Sequence, residues 1–203
     1  MIEPRSTYEI ALEGPDNGGK TTLIGVLSDH YESQGLRVAR LLGLSNTVYG
    51  REIRKNLLNI NAMGLQGIGY FKEDIRRTYE DTLYPQSPQL VFWDRHMYSI
   101  AAANSLGEDL EAIRQVKPII PEPQRVVLLD VPEEISLERE KAAGKTDHPL
   151  TIEWAREKRA RYLRIAANEP DLITVIDTMQ PINDVREALI RIINQDLIKY
   201  KII

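Results

Sequence analysis

The chain has 203 residues, of which 28% are charged and 42% hydrophobic, with a formal net charge of −4 at pH 7. This balance is typical of one soluble domain, and it argues against a nucleic-acid partner or an anionic membrane surface. The chain has no cysteine, no apolar signal-peptide core in MIEPRSTYEI and no membrane-length apolar run, so disulfides and thiolate chemistry are excluded and a cytoplasmic protein is expected.

The first predicted element is a short buried strand from Tyr8 to Leu12. A glycine-rich segment, GPDNGGKTT, follows it, and its spacing fits the phosphate-binding pattern G-x-x-x-x-G-K-[ST]. A helix is predicted from Thr21 onward, because apolar residues recur there at helical spacing. That apolar stripe consists of Leu23, Val26, Leu27, His30 and Tyr31.

Strand, glycine loop and helix in this order indicate a nucleotide-phosphate site rather than a chance glycine-rich turn. Glycines allow consecutive backbone N–H groups to curl around a phosphate, and the start of the helix adds its positive dipole end. Lys20 would neutralise the β- and γ-phosphates of ATP, and the Thr21 hydroxyl would ligate Mg²⁺. The predicted ATP-binding residues are Gly14, Asn17, Gly18, Gly19, Lys20, Thr21 and Thr22.

Further strand-like runs alternate with helical patterns along the rest of the chain. These runs are RVARLL, QLVFWD, RVVLLD and LITVID. Such alternation predicts an α/β fold with a five-stranded parallel sheet and helices on both faces, in a single domain spanning 1–203. Ligands of such folds bind at the carboxyl ends of the strands.

Three of these runs end in a carboxylate, at Asp94, Asp130 and Asp177. A carboxylate there holds Mg²⁺ or caps the next turn. Capping is favoured for Asp177 and is at least as strong an expectation as metal binding for Asp130. For Asp94 the adjacent Arg95 favours function, because an acid for a metal beside a guanidinium for a phosphate suits phosphoryl transfer.

At these motifs the chain resembles the thymidylate kinase family of P-loop nucleoside-monophosphate kinases. LEGPDNGGKTT resembles the family's phosphate loop, with Glu13 and Asp16 in place, and DRHMYSIAA resembles its Asp-Arg segment. Supporting similarities are TVYGREIR, VVLLDVPEEISLERE and REKRARYLRIAA, the last through Arg159 and Tyr162.

The resemblance implies a P-loop kinase three-layer sandwich with a short lid at about 139–152. It also implies a homodimer that transfers the γ-phosphoryl group of ATP to a (deoxy)nucleoside 5′-monophosphate, dTMP by default. Lys20, Asp94, Arg95 and Arg139 are the expected catalytic residues, and Thr21 and Asp94 the expected metal ligands. The residues expected to contact the acceptor are Asp16, Phe71, Arg76, Arg95, Ser99 and Tyr162.

The acceptor side departs from the family pattern. Gly43 and Leu44 replace a family Glu-Pro, and Ala103 and Asn104 replace Tyr-Gln. In the base-reading segment the aromatic is kept as Phe71, but Ile75 takes the arginine's place and Arg76 follows one residue late. A helix turns by about 100° per residue, so that arginine points elsewhere. Stacking on a base and packing in the core remain alternatives for Phe71.

The lid departs as well. Asn17 stands where one class of these kinases has a loop arginine, and the other class's lid arginines are replaced by Lys141, Ala143 and His148. Lys141 and Lys145 would substitute only in part, because an ammonium makes no bidentate phosphate contact. Arg139 is the best remaining guanidinium, and a solvated charged turn is the alternative.

The charge run REKRARYLR is expected to direct Arg159, and with it Arg156, toward the site while its other charges are exposed. His30 is expected in the core and His96 beside the acceptor. His148 is a candidate phosphate contact that nothing in the sequence requires.

Two other functions stay open at this point. One is a kinase for a nucleoside or modified nucleotide, with Glu13 as a base. The other is a nucleotide-binding protein with weakened catalysis. A GTPase is disfavoured, since the sequence contains no Asn-Lys-x-Asp motif.

Overall fold

The computed structural model describes residues 7–55, 60–103, 121–142, 144 and 151–203, in which five strands alternate with helices. In chain order the elements are β1 (Tyr8–Glu13), α1 (Lys20–Ser33), β2 (Val38–Leu42), α2 (Val48–Lys55), α3 (Ile60–Thr78), a π-helical segment (Tyr79–Leu83), α4 (Tyr84–Gln86), β3 (Leu90–Asp94), α5 (Met97–Ala103), β4 (Arg125–Asp130), α6 (Glu133–Ala142), α7 (Ile152–Asn168), β5 (Ile173–Asp177) and α8 (Ile182–Lys199).

The five strands form one parallel sheet in the order β2-β3-β1-β4-β5. All five predicted strands are confirmed. The central strand β1 pairs with β3, with Leu12 opposite Asp94, and with β4 on its other side. The carboxyl ends of β1, β3 and β4 therefore meet at one edge of the sheet, where the phosphate loop and Asp94 lie together.

Helices cover both faces of this sheet, which confirms the α/β prediction. Side chains alternate along each strand, so Ile10 and Phe92 face a core formed with α1 and α8, and Ala11 and Trp93 face the other. The second core is closed by side chains of α3, α5 and α7. Among the described residues, no helix is both long enough and apolar enough to cross a bilayer.

The buried face of α1 differs in part from the predicted stripe. Leu23, Leu27 and Tyr31 are buried as expected, but Val26 is 40% exposed, and Ile24 takes its place in the core. The helix begins at Lys20, which is itself buried, and Ile24 lies about one turn further along on the same side of the helix. His30 lies at the margin of that face, half-buried and hydrogen-bonded to Gln34, so its predicted core position is wrong.

Helix α7 begins where the predicted lid ends. Thr151 is its N-cap, and the Thr151 side chain accepts a hydrogen bond of 3.2 Å from the backbone N–H of Trp154. Of the predicted lid, residues 143 and 145–150 lie outside the described residues, and with them the expectations for Ala143, Lys145 and His148.

Candidate functional site

A cleft of about 590 Å³ opens at the carboxyl edge of the sheet. Its walls are the loop that follows β1, the end of β3, and α6 through Arg139. The structure thus brings together the predicted loop residues, the Asp94–Arg95 pair and Arg139, which lie far apart in the chain.

The loop conformation depends on glycine at its two ends. Gly14 has a φ of 132° and Gly19 a φ of 88°, both in the region that side chains disfavour. A Cβ on Gly14 would lie 2.4 Å from the carbonyl oxygen of Leu129. The loop therefore lies directly on the end of β4, and its backbone faces the cleft.

Lys20 lies beneath this loop. It is 5% exposed, and its ammonium donates hydrogen bonds to the carbonyl oxygens of Gly14 (3.1 Å) and Pro15 (2.6 Å). Burial lowers the pKa of Lys20 to about 7, and the charge of Arg95 adds to this, although Asp16 and Asp94 oppose it. A bound polyphosphate would offset the cost of burial and favour the charged form.

Thr21 and Asp94 meet across the cleft. The Thr21 hydroxyl donates a 2.5 Å hydrogen bond to Oδ2 of Asp94. A hydroxyl and a carboxylate are oxygen ligands that suit Mg²⁺, which usually takes one or two carboxylates plus substrate phosphates. Within the described ranges, no three acidic or histidine side chains are grouped so that they could hold a metal ion by themselves. A cation held here would need phosphate oxygens to complete its coordination.

Arg95 is fixed at the inner end of the cleft. Its Nη1 donates to the Gly14 carbonyl (3.0 Å), Ser99 Oγ (3.2 Å) and Tyr162 Oη (3.3 Å), and its Nη2 donates to Asp16. Its backbone φ of 72° is rare for a residue other than glycine. Strain of this kind costs about 1–3 kcal/mol and concentrates at functional sites.

Asp16 accepts from two cations. Arg95 contacts Oδ1, and the Lys158 ammonium contacts Oδ2 at 2.8 Å. Burial alone would raise the pKa of Asp16, but the charges of Lys158, Arg95 and Lys20 hold it well below its usual range. Lys158 was not predicted as a site residue, because a sequence of alternating charges gives no sign of which ones face inward.

Glu13 lies below this group and is 1% exposed. It accepts hydrogen bonds from the backbone N–H groups of His96 (2.7 Å) and Ser99 (3.2 Å) and from the Ser99 hydroxyl (2.5 Å). Burial raises the pKa of Glu13, although the Ser99 hydrogen bond and the charge of Arg95 oppose this. These hydrogen bonds join the start of α5 to the end of β1, so the role of Glu13 in this structure is to stabilise the fold.

Ser99 and Tyr162, both expected to contact the acceptor, support Arg95 from below. Their hydroxyl oxygens are 2.9 Å apart, and each lies within 3.3 Å of Arg95 Nη1. Tyr162 is 2% exposed. In this arrangement the two side chains position the guanidinium.

Phe71 and Arg76 lie apart from this cleft. Phe71 is 1% exposed and belongs to the core, which agrees with the packing alternative and leaves no free ring face for a base. Arg76 lies on the outer side of α3, where its guanidinium pairs with Glu73 and Glu80. The prediction that these side chains meet the acceptor has no support in this geometry, because helical periodicity turns Arg76 outward.

The charge run in α7 is directed differently from the prediction. Arg159 forms a bidentate pair with Asp130, at 2.8 Å for both bonds, and a third bond with Glu133, so it joins α7 to β4. Arg156 pairs with Glu133 on the surface. The expectation that Arg159 and Arg156 face the site is wrong, and so is the expectation that Lys158 is exposed.

The other strand-end acids have structural roles. Asp130 pairs with Arg159, as stated above, and its backbone carbonyl accepts hydrogen bonds from Thr178. Asp177 caps a turn by accepting from the backbone N–H of Met179 at 2.8 Å, as expected. Asp94 alone of the three predicted strand-end carboxylates lies on the wall of the larger cleft.

A second, smaller cleft of about 370 Å³ lies on the other side of the loop. It shares Gly19, Thr22 and Arg139 with the larger cleft, and Gln180 and Ile182 form its outer wall. Arg139 also donates to the carbonyl of Asn17 at 3.2 Å. Arg139 therefore borders both clefts.

The residues that depart from the family pattern on the acceptor side lie in different environments. Gly43 lies against the Asp94–Arg95 turn: its N–H donates to the Asp94 carbonyl at 3.0 Å, and a Cβ there would lie 2.2 Å from the Arg95 carbonyl oxygen. His96 is fully buried, with its ring edge-on to Trp93, so it packs in the core. Asn104 lies outside the described residues.

Comparison with known proteins is consistent with this geometry. Residues 12–189 match the family model described as Thymidylate kinase. The chain is 28% identical over 201 residues to a probable thymidylate kinase of Pyrococcus abyssi, covering 94% of this chain and 98% of that protein. It is 29% identical over 205 residues to a thymidylate kinase of Pediococcus pentosaceus, covering 93% and 97%.

The crystal structure of thymidylate kinase from Ehrlichia chaffeensis superposes with a TM-score of 0.67 at 20% identity. The match covers 93% of this chain and 98% of that one. At this identity the likeness supports the fold: a parallel five-stranded sheet with a phosphate loop after its central strand.

Proposed function

We propose that this protein transfers the γ-phosphoryl group of ATP to the 5′-phosphate of dTMP, giving dTDP and ADP. The chain belongs to the thymidylate kinase family. The observation that carries this function is the joint placement of Lys20, Thr21, Asp94 and Arg95 around one cleft at the carboxyl edge of the sheet. A phosphate loop and an Asp-Arg pair on the walls of one cleft suit transfer between two phosphates.

On the donor side, the loop amides and Lys20 would hold the β- and γ-phosphates of ATP. Lys20 already reaches the loop carbonyls, so only a small movement of its ammonium would bring it to a phosphate. Arg139, which lies between the two clefts, would contact the same phosphates from the side of α6. Thr21 and Asp94 would hold Mg²⁺, which supplies positive charge to the transferring group.

On the acceptor side, Arg95 would bind the phosphate of dTMP. Its guanidinium is held by Ser99 and Tyr162, so it is preorganised and loses little freedom on binding. A phosphate oxygen of the acceptor attacks the γ-phosphorus, and the bond from that phosphorus to the β–γ bridging oxygen breaks as ADP leaves. The attacking oxygen is already anionic, so no general base is required.

The same point bears on the alternative of a nucleoside kinase. A hydroxyl acceptor needs a base, and Glu13 is the carboxylate that sequence reasoning suggested. Glu13 is instead buried beneath Ser99 and already accepts three hydrogen bonds at 2.5–3.2 Å. This favours the monophosphate acceptor. The intact loop and Asp-Arg pair likewise favour a kinase over a protein that only binds nucleotides.

The proposal includes three features that rest on the family resemblance and on the sequence. They are a single domain over 1–203 with a lid at about 139–152, a homodimer, and a cytoplasmic location without nucleic-acid or membrane partners. Sedimentation at assay concentration tests the homodimer, and a monomer there would contradict it.

The decisive experiment is incubation with Mg-ATP and a panel of nucleosides and 5′-monophosphates, with products identified by mass. The matched control is the Lys20→Met variant, which retains the length of the side chain without its charge. Formation of dTDP and ADP in equal amounts by the wild type, and not by the variant, is the expected result. Selective conversion of another acceptor would replace dTMP in the proposal, and nucleotide binding without conversion would contradict the kinase.

A further inference from the structure

Lys158 is a buried lysine in the middle of α7. Its side chain is 10% exposed, and its ammonium lies 2.8 Å from Oδ2 of Asp16 and 4.4 Å from the centre of the Trp154 ring. Removing an ammonium from water is costly unless a partner compensates. Asp16 and the Trp154 ring provide that compensation and hold Lys158 in one position.

Asp16 itself lies on the wall of the larger cleft, with its side chain 34% exposed. It is the residue through which Lys158 reaches the cleft. Arg95, which would bind the acceptor phosphate, donates to Asp16 through Nη2 alone, at Oδ1. The two oxygens of Asp16 are therefore divided between two cations.

Another pair in this chain shows how a carboxylate binds an arginine when both of its oxygens are available to the guanidinium. Asp130 and Arg159 form a two-bond pair in which Nε and Nη2 each reach one oxygen at 2.8 Å. This fork-to-fork geometry is the preferred arrangement of the two groups. Asp16 and Arg95 do not adopt it: Oδ2 of Asp16 accepts from Lys158, and Nη1 of Arg95 donates to Gly14, Ser99 and Tyr162.

We propose that Lys158 is a positioning residue for the acceptor phosphate, in that it holds Oδ2 of Asp16 and so prevents Asp16 from clamping Arg95 in a bidentate pair. The inference rests on the proposed function, since it takes Arg95 as the acceptor's phosphate ligand. With Lys158 in place, Arg95 contacts Asp16 through Nη2 only, and its Nη1 donates to Gly14, Ser99 and Tyr162. Without it, Asp16 competes with the substrate for Arg95.

The test is a double-mutant cycle with Lys158→Met, Asp16→Asn and the two combined. The dissociation constant for dTMP is measured by calorimetry without ATP, alongside KM for ATP and the melting temperature. Arg164→Met, which removes an exposed cation from the same helix, is the matched control and is expected to leave the dTMP affinity unchanged.

Lys158→Met is expected to weaken dTMP binding about tenfold, the scale of a strong pairwise coupling, and to leave KM for ATP nearly unchanged. In the Asp16→Asn background the same substitution is expected to change dTMP binding less than about twofold, because a neutral amide does not clamp a guanidinium.

An equal loss of affinity in both backgrounds would overturn the inference, because Lys158 would then act directly on the phosphate or through the fold. Unchanged affinity in Lys158→Met would also overturn it. A parallel rise in KM for ATP with a lowered melting temperature would mean a structural role instead.

Turnover by the wild type separates this inference from the proposed function. If the wild type binds dTMP without converting it, the kinase function fails and the cycle still decides the role of Lys158. If the wild type turns over dTMP and the cycle shows no coupling, the function stands and the inference fails. If it binds no dTMP, both fail.

Discussion

The hydroxyl of Thr21 and the carboxylate of Asp94 are joined by a 2.5 Å hydrogen bond that links the first turn of α1 to the end of β3. The two residues are 73 positions apart in the chain. Both are candidate ligands of the same cation, and their contact means that the oxygens of a metal site are already side by side.

Asp94→Asn is expected to lower kcat about 100-fold, in line with the loss of one preorganised charged group, and to raise the Mg²⁺ concentration needed for half-maximal rate. The rate as a function of Mg²⁺ measures both effects. Asp177→Asn is the matched control, since Asp177 ends a strand of the same sheet but caps a turn. A wild-type Mg²⁺ dependence in Asp94→Asn would remove Asp94 from the metal site.

Lys20→Met is expected to lower turnover roughly 1,000-fold, the upper range for removing a donor to a developing charge. The pKa of about 7 adds a second expectation. Polyphosphate binding favours the charged ammonium, so above pH 7 the wild type takes up protons when ATP binds. Calorimetry in buffers of different ionisation enthalpy measures this uptake, which Lys20→Met lacks. Equal uptake by both proteins would show that another group titrates.

Arg95→Ala and Arg139→Ala form a pair that separates acceptor from donor. Arg95→Ala is expected to raise KM for dTMP roughly 100-fold, the scale of two charge-assisted hydrogen bonds, and to leave ATP binding nearly unchanged. Arg139→Ala is expected to act on kcat and on ATP instead. Steady-state kinetics with each substrate varied in turn measures both. A fall in ATP affinity for Arg95→Ala would place Arg95 on the donor side.

Gly43→Ala tests the close approach between the β2 end and the Asp94–Arg95 turn. A Cβ 2.2 Å from the Arg95 carbonyl requires the backbone to shift, so the variant is expected to lose about 1–3 kcal/mol of unfolding free energy and some dTMP affinity. Gly25→Ala is the control, because no atom lies within 4 Å of its Cβ. That variant is expected to gain about 0.5–1 kcal/mol in the helix. Urea unfolding measures both, and equal stability of the two variants would refute the close contact.

The burial of His96 leads us to expect that the protein is less stable in acid. Its ring is fully buried, both ring nitrogens lack a partner within the described residues, and burial lowers its pKa from 6.5 to about 3. Between these values the unfolded chain binds the proton and the folded chain does not, so stability falls as the pH falls, by about 1.4 kcal/mol per unit from this residue. His96→Phe is expected to flatten that slope in urea unfolding at several pH values. The same slope in the variant would place the titration elsewhere.

The donor half of the site was predictable because it is local in sequence. A strand, a glycine loop and a helix follow each other within residues 8–33, and each part has its own pattern. The position of the Asp94–Arg95 pair could be predicted for a related reason, since the apolar run of a buried parallel strand stops where the strand ends. These features depend on neighbours in the chain and on the topology of a parallel sheet.

The acceptor half depends on side-chain direction, which the sequence leaves open. In REKRARYLR, helical spacing allows several charges to face inward. In the structure Arg159 pairs with Asp130 on β4, and Lys158 pairs with Asp16. Phe71 faces the core and Arg76 the surface because of how α3 packs on the sheet. The contact between Lys158 and Asp16 joins residues 142 positions apart, and no local pattern in the sequence indicates it.

The placement of the loop on the central strand has a consequence for how the protein opens. Strand β1 is paired on both sides, by β3 and by β4, and all of its residues are buried. The amides of Leu12 and Glu13 therefore cannot exchange with solvent through fraying of an edge, and their exchange reports the unfolding of the whole sheet. Strand β2, which ends just before Gly43, lies at an edge of the sheet and is expected to open at lower free energy. Hydrogen exchange is therefore expected to be slow in β1, beneath the proposed ATP site, and faster in β2, beside the proposed acceptor site.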